Sequence, residues 1–306
     1  AGMTLATAAP AATAPAAPLL ERITHALLHP GPVMLMTEIV VGLLIVGTII
    51  IALLQRRLPA KSMKELWLRL KSWWVMVGLT LLAVVIDQRL TIIFCGLLSF
   101  VALKEFYTLV HMRIADRRAI LLSYLAVIVQ YWWVYTQWYG MFLIFVPVYM
   151  FLIIPFRLVL VGKTERFMTS AGKLHWGLMA FVFGLSHLAF LLVMQFDEAT
   201  VFEAGNRGLL FYIVFLAVFN DVLQYLFGKT LGTHKMTPTI SPNKTWEGFL
   251  GGVVCTSILA VLLRFLTPMD IWHALGAGVL IATTGPIGGM IISAIKRDVG
   301  VKDSGN

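Results

Sequence analysis

Apolar residues fall along this chain in long blocks, at about 33–54, 73–86, 90–103, 119–138, 141–161, 174–195, 209–228, 249–266 and 272–294. A helix rises ~1.5 Å per residue, so ~20 apolar residues cross the hydrocarbon core of a bilayer. The blocks predict an all-α integral membrane protein of about nine transmembrane helices, the second and third short enough to tilt or to be partly re-entrant. Between the first two blocks, PAKSMKELWLRLKS at 59–72 sets Met63, Leu66, Trp67 and Leu70 at helical spacing against Lys61, Lys64, Glu65, Arg69 and Lys71. That alternation predicts an amphipathic helix lying in the membrane interface. The N-terminal Ala/Pro/Thr-rich stretch carries no basic n-region and reads as a disordered tail, not a cleaved signal. Three parts are therefore expected: a tail over 1–30, a first transmembrane helix with the interfacial helix over 31–72, and a polytopic domain over 73–306.

Composition excludes the alternatives to a membrane. Of 306 residues, 59% are apolar and 13% charged, about half the charge of a soluble domain, and the mean hydropathy is +0.87. The net charge of +9 would point a soluble protein towards nucleic acid. Here its distribution gives another account. Twenty of the 24 Lys and Arg residues fall on one side if the blocks alternate, in clusters at 56–71, 104–118, 157–173, 229–244 and 296–302. Basic loops are retained in the cytoplasm, which predicts an N-terminus outside and a cytoplasmic C-terminus. No internal repeat or Gly/Pro-broken helix pair is evident, which weakens a transporter built on inverted repeats. Cys95 and Cys255 sit inside apolar blocks without metal-ligand spacing, and read as packing residues.

Two polar stretches remain, each following a block that ends on the cytoplasmic side. In the first, Asp221 interrupts an apolar block, where an ionised carboxylate is expensive and needs a cavity or partner. Gln224, Tyr225 and Gly228 follow at i+3, i+4 and i+7 and share its helical face, roughly 10 to 12 Å from the Lys229 end; a helix-packing polar pair is the alternative. The connection beyond carries Lys235, Ser241, Lys244, Thr245 and Glu247 between prolines and glycines. Ammonium groups, hydroxyls and free N–H groups suit a polyphosphate, and a helix beginning at Ser241 or Asn243 would aim its positive pole at an anion. An ordinary positive-inside loop is the alternative. Near the C-terminus, Ser293, Lys296 and Arg297 share one helix face, followed by Lys302 and Asp303. Asp221 and Asp303 together would suit Mg²⁺, which takes one or two carboxylates plus phosphate oxygens.

At these two stretches the chain resembles the phosphatidate cytidylyltransferase family. Ser293-Ala-Ile-Lys296-Arg297, four residues, then Lys302-Asp303-Ser-Gly305 follows the family signature, and Asp221, Tyr225, Gly228 and Ser241-Pro-Asn-Lys244-Thr245-Trp246-Glu247-Gly248 follow its upstream segment. Ala102-Leu-Lys-Glu105-Phe is similar to a further helix end. Many members have Gly-Asp where this chain has Gly288-Gly289, and the family continues past the point equivalent to Asn306 into His-Gly-Gly and Asp-Arg-x-Asp segments, so a C-terminally incomplete form is expected. The resemblance implies transfer of CMP from CTP to phosphatidate, giving CDP-diacylglycerol and pyrophosphate, at a cytoplasm-facing site in the bacterial inner membrane. It implies catalytic roles for Asp221, Lys244, Ser293, Lys296, Arg297 and Asp303, with Asp221 and Asp303 on divalent metal. Gln224, Tyr225, Lys235, Ser241, Thr245, Glu247 and Lys302 would bind substrate. The expected partners are CTP and phosphatidate rather than nucleic acid, with a homodimer left open. A transporter or flippase for an anionic lipid or solute, and a cytidylyltransferase for another lipid phosphate, are the alternative functions.

Overall fold

The computed structural model describes residues 31–54, 60–162, 164–196 and 202–301. The expected tail, Lys302 and Asp303 lie outside the described residues. The described helices are α1 (Pro32–Leu54), α2 (Ala60–Ile86), α3 (Gln88–Leu109), α4 (Arg117–Tyr135), α5 (Tyr139–Val159), α6 (Phe167–Leu191), α7 (Gly205–Thr230), α8 (Trp246–Leu262) and α9 (Ile271–Asp298). Among the described residues, eight helical segments are long and apolar enough to cross a membrane. The protein is an all-α integral membrane protein with one small hairpin.

The expected interfacial helix and second apolar block form one continuous helix, α2, so the boundary expected at residue 72 falls inside an element. Ser72, the residue best suited to cap a new helix there, instead donates its hydroxyl back to Leu68 O at 3.0 Å, so nothing interrupts the backbone ladder. Met63 and Leu70 are buried while Trp67 is exposed, which divides the apolar stripe.

Helices α3 to α6 share a core that includes Leu103, Val134, Val146, Ile154, Leu174 and Leu178. Both α5 and α6 contain a wider π turn, at Phe145–Met150 and Leu178–Phe183. At one end, Arg113 donates through Nε and Nη2 to the buried carboxylate of Asp116 at 2.9 and 2.8 Å, and through Nη1 to Glu165 O. Ser170 donates to Asp116 at 2.7 Å, and Lys173 Nζ to Val110 O at 2.5 Å. Two of the predicted cytoplasmic cations are thus committed to holding the α3–α4 and α5–α6 connections together.

Helices α7, α8 and α9 form the second group, with α1 against it through Met36. Tyr212 on α7 donates to Ala260 O on α8 at 3.2 Å and lies 3.4 Å from Ala274 O on α9. The two groups meet where Ile295 and Val299 pack on the first core.

Candidate functional site

The connection from α7 to α8 is an antiparallel hairpin rather than an irregular loop. Strands β1 (Lys235–Thr237) and β2 (Ser241–Thr245) pair Lys235 with Thr245 and Thr237 with Ser241, with an irregularity between. The helix that follows starts neither at Ser241 nor at Asn243. Thr245 is its N-cap, in extended conformation, and its hydroxyl accepts from Gly248 N at 3.2 Å. Ser241-Pro242 favours extended backbone, because proline restricts the residue before it, and threonine is the first position able both to finish a strand and to cap a helix.

Glu247 lies in the first turn of α8 and its carboxylate is heavily engaged. It accepts from Thr233 N and Oγ1 at 3.1 and 2.7 Å, from His234 N at 3.1 Å, and meets His234 Nδ1 at 2.6 Å. The acidic group therefore clamps the start of the hairpin to the helix instead of standing open for a ligand.

The hairpin lies along one face of α9. Lys244 Nζ donates to Pro286 O at 2.9 Å, Thr237 Oγ1 sits 3.7 Å from Met290 Sδ, and Arg297 Nε is 3.4 Å from Ile240 O. Residues 286, 290, 293 and 297 share this face at helical spacing. Ser293 lies on this ridge between the Met290 and Arg297 contacts, its hydroxyl donating to Gly289 O at 2.8 Å. Lys296 and Arg297 flank the end of the same ridge, Lys296 half-buried and Arg297 exposed.

Gly289 makes room for Lys244. A Cβ there would stand 2.9 Å from the ammonium nitrogen. Burial among the hairpin and α9 lowers the Lys244 pKa, and the carboxylate of Asp221 pulls it back up. Partial desolvation strengthens a cation's attraction for phosphate, while the field of Asp221 keeps the ammonium protonated.

The stripe expected on α7 divides in two. Asp221 is left uncovered by the rest of the chain, and the amide beside it, Asn220, is completely buried. Tyr225 is 67% exposed and turns away from the hairpin, with Lys229 Nζ 5.7 Å from its ring centre. Gln224 and Gly228 face inward. Gln224 Nε2 donates to Ala282 O at 3.2 Å and to Asn220 Oδ1 at 3.2 Å. Asn220 accepts from Thr256 at 3.1 Å and reaches Ala282 O at 3.5 Å. The cause sits on α9: Pro286 has no N–H, so the carbonyl four residues earlier loses its helical donor, and the two α7 amides replace it. Pro286 stands inside α9 without ending it. Asn220 and Pro286 were missed in sequence; an amide next to Asp221 and a proline inside an apolar block were the available signals.

Replacing Asn220 with Leu is expected to lower stability by about 1–3 kcal/mol, because the Thr256 hydroxyl and the Ala282 carbonyl lose partners in a buried setting. The readout is the thermal unfolding midpoint of the full chain in detergent, and an unchanged midpoint would contradict the network.

The structure thus gathers Lys244, Thr245, Ser293 and Arg297 around the hairpin, with Asp221 in electrostatic contact and Gln224 in the supporting layer. Lys235 and Ser241 lie on the hairpin strands, Lys235 exposed and Ser241 half-buried. Among the described residues there is no group of three or more His, Cys, Asp or Glu side chains that could hold a metal ion. Asp221 fits as a single carboxylate whose metal would be completed by substrate oxygens.

Cations, hydroxyls and a carboxylate at one end of three apolar helices suit phosphate chemistry at a membrane surface. The sequence model of the cytidylyltransferase family matches residues 67–306, and the chain belongs to that family. It is 37% identical over 265 residues to the uncharacterized protein YnbB of Escherichia coli (strain K12), covering 86% of each chain. It is also 39% identical over 108 residues to a phosphatidate cytidylyltransferase of Staphylococcus aureus (strain COL), covering 34% of this chain and 42% of that enzyme. A phosphatidate cytidylyltransferase of Staphylococcus epidermidis is 36% identical over 142 residues, 45% of this chain and 53% of that one. The chain therefore spans about half the length, or less, of these named enzymes.

Proposed function

We propose that the protein transfers CMP from CTP to phosphatidate, releasing pyrophosphate and leaving CDP-diacylglycerol in the membrane. The observation that carries this reading is the Lys244 ammonium reaching from the hairpin to Pro286 O on α9, the helix that carries Ser293, Lys296 and Arg297 on its last turns, at the end of three membrane helices. A phosphate oxygen of phosphatidate attacks the α-phosphorus of CTP in line, and the bond from that phosphorus to the bridging oxygen of the β-phosphate breaks. The protein's part is positioning and neutralising charge. Lys244, Lys296 and Arg297 bind the triphosphate and the departing pyrophosphate. Ser241, Thr245 and Ser293 orient phosphate oxygens. Thr245 and Glu247 also hold the hairpin against α8. Mg²⁺ bound through Asp221 and Asp303 would add further neutralisation of the phosphates. The site faces the cytoplasm of a bacterial inner membrane, with nine spans and an external N-terminus, which is the orientation that basic connections favour.

The test incubates the purified full chain in detergent with radiolabelled CTP, Mg²⁺ and phosphatidate, with other lipid phosphates in parallel. Lipid-linked cytidine is expected with phosphatidate, and Lys296→Ala and Arg297→Ala are each expected to reduce it by about 10²-fold or more. A product formed solely from another lipid phosphate would reassign the acceptor. Absence of lipid-linked cytidine with every acceptor, or full turnover in both variants, would overturn the reading.

A further inference from the structure

Away from the α7–α9 site, α4 and α5 enclose an open groove of about 850 Å³ lined by Arg117, Arg118, Leu121, Tyr124, Arg157 and Leu160. That size is in the range of small-ligand sites. Its polar end carries three guanidiniums from two helices, and among the described residues none of the three is paired with a carboxylate. The nearest acid in sequence, Asp116, is fully buried and already satisfied by Arg113 and Ser170.

Arg117 and Arg118 also open α4, where the helix has no acidic residue in its first turn and no side-chain cap. The positive pole of a helix favours anions; the N-cap carboxylate of Asp116 is already paired with Arg113, which leaves Arg117 and Arg118 as further positive charge at this end. Below them the lining turns apolar. On α4 Leu121 is 59% exposed and the exposed face continues through Leu125, Ile128 and Trp132, and on α5 Phe156 and Leu152, on the membrane side of Arg157, are 63% and 64% exposed. Arginines at the membrane boundary above an apolar lane match a molecule that has a phosphate at one end and an acyl chain at the other.

We propose that this groove binds an anionic phospholipid, with its head-group phosphate on Arg117, Arg118 and Arg157 and an acyl chain running from Leu121 along the exposed face of α4. The lipid supplies negative charge beyond that of Asp116, which Arg113 already takes up, and it fills the space between α4 and α5 beside that clasp.

The probe is phosphatidylglycerol, a phosphodiester with no terminal phosphate to attack a nucleotide, so its retention is independent of turnover at the other site. Native mass spectrometry of the full chain in detergent compares phosphatidylglycerol with phosphatidylcholine, and glycerol 3-phosphate serves as a soluble competitor. Retention of phosphatidylglycerol at least tenfold above phosphatidylcholine is expected, with no displacement by excess glycerol 3-phosphate. The Arg117→Gln, Arg118→Gln, Arg157→Gln triple variant is expected to lose that preference, and the matching triple Lys variant to keep part of it. If the triple Gln variant does not fold, Arg157→Gln alone is measured against Arg157→Lys. Equal retention in the Gln and wild-type proteins would overturn the proposal, as would displacement by glycerol 3-phosphate, which would mark a site for soluble anions.

Discussion

Lys244→Ala is expected to reduce CTP-dependent labelling of lipid by about 10² to 10³-fold, equivalent to about 2.7–4 kcal/mol of transition-state stabilisation. The reason is placement. The ammonium is half-buried, bonds to Pro286 O at 2.9 Å and feels the carboxylate of Asp221. A charge held in place before the reaction needs no reorganisation as negative charge develops on the phosphates. A companion variant separates the role of the charge from that of the fold. Gly289→Ala puts a Cβ 2.9 Å from Lys244 Nζ, and the long side chain can swing aside without moving the backbone. Its thermal midpoint is expected to shift by no more than about 2 °C, while labelling falls at least tenfold. Radiolabelled CTP with phosphatidate measures both. Lys244→Ala with turnover within twofold of wild type would remove the ammonium from the mechanism.

The second large effect is expected at Gly248, where the backbones of α7 and α8 come close beside the hairpin. A Cβ at this position would lie 2.7 Å from Gln224 O and 2.9 Å from Gly228 Cα. Both are backbone atoms of a packed helix, so accommodation requires the helices to part. Gly248→Leu is expected to cost at least about 1–3 kcal/mol from overpacking and to weaken the Thr245 cap, whose hydroxyl bonds to the Gly248 N–H. In a membrane no hydrophobic effect draws helices together, so close contact of small residues carries much of their association. A fall in the thermal midpoint in detergent, with labelling lost in parallel, is the expected result. A midpoint equal to wild type would mean that α7 and α8 are not held this closely.

The fold class was legible because a bilayer demands one property of a spanning segment, sustained apolarity over enough length, and that property is additive along the chain. The eight segments long and apolar enough to span coincide with eight of the apolar blocks. Where the reading met α2 it failed for a local reason. Polarity changed at about residue 72, but helical hydrogen bonding is indifferent to polarity, and the exposed Ser72 hydroxyl bonds back to its own helix instead of capping a new one. On the site, Ser293 and Arg297 came to one face as their spacing required. Tyr225 did not join Gln224, although both were assigned to the Asp221 face, because adjacent helical positions point about 100° apart and the packing of α8 and α9 selected one of the two.

What the sequence determined by itself was the membrane class, the grouping of cations at one set of helix ends and the residue types needed for phosphate chemistry. Each is a property of a residue and its near neighbours along the chain. Tertiary structure alone decided that Lys244 rests on Pro286 O in the space left by Gly289, that Asn220 and Gln224 repair the carbonyl freed by Pro286, and that Glu247 is spent on the hairpin. Those pairings join residues up to 62 positions apart. Their cause is shared: a buried donor, acceptor or charge must find whichever partner helix packing brings within reach, and packing is a property of surfaces that meet only after the chain has folded.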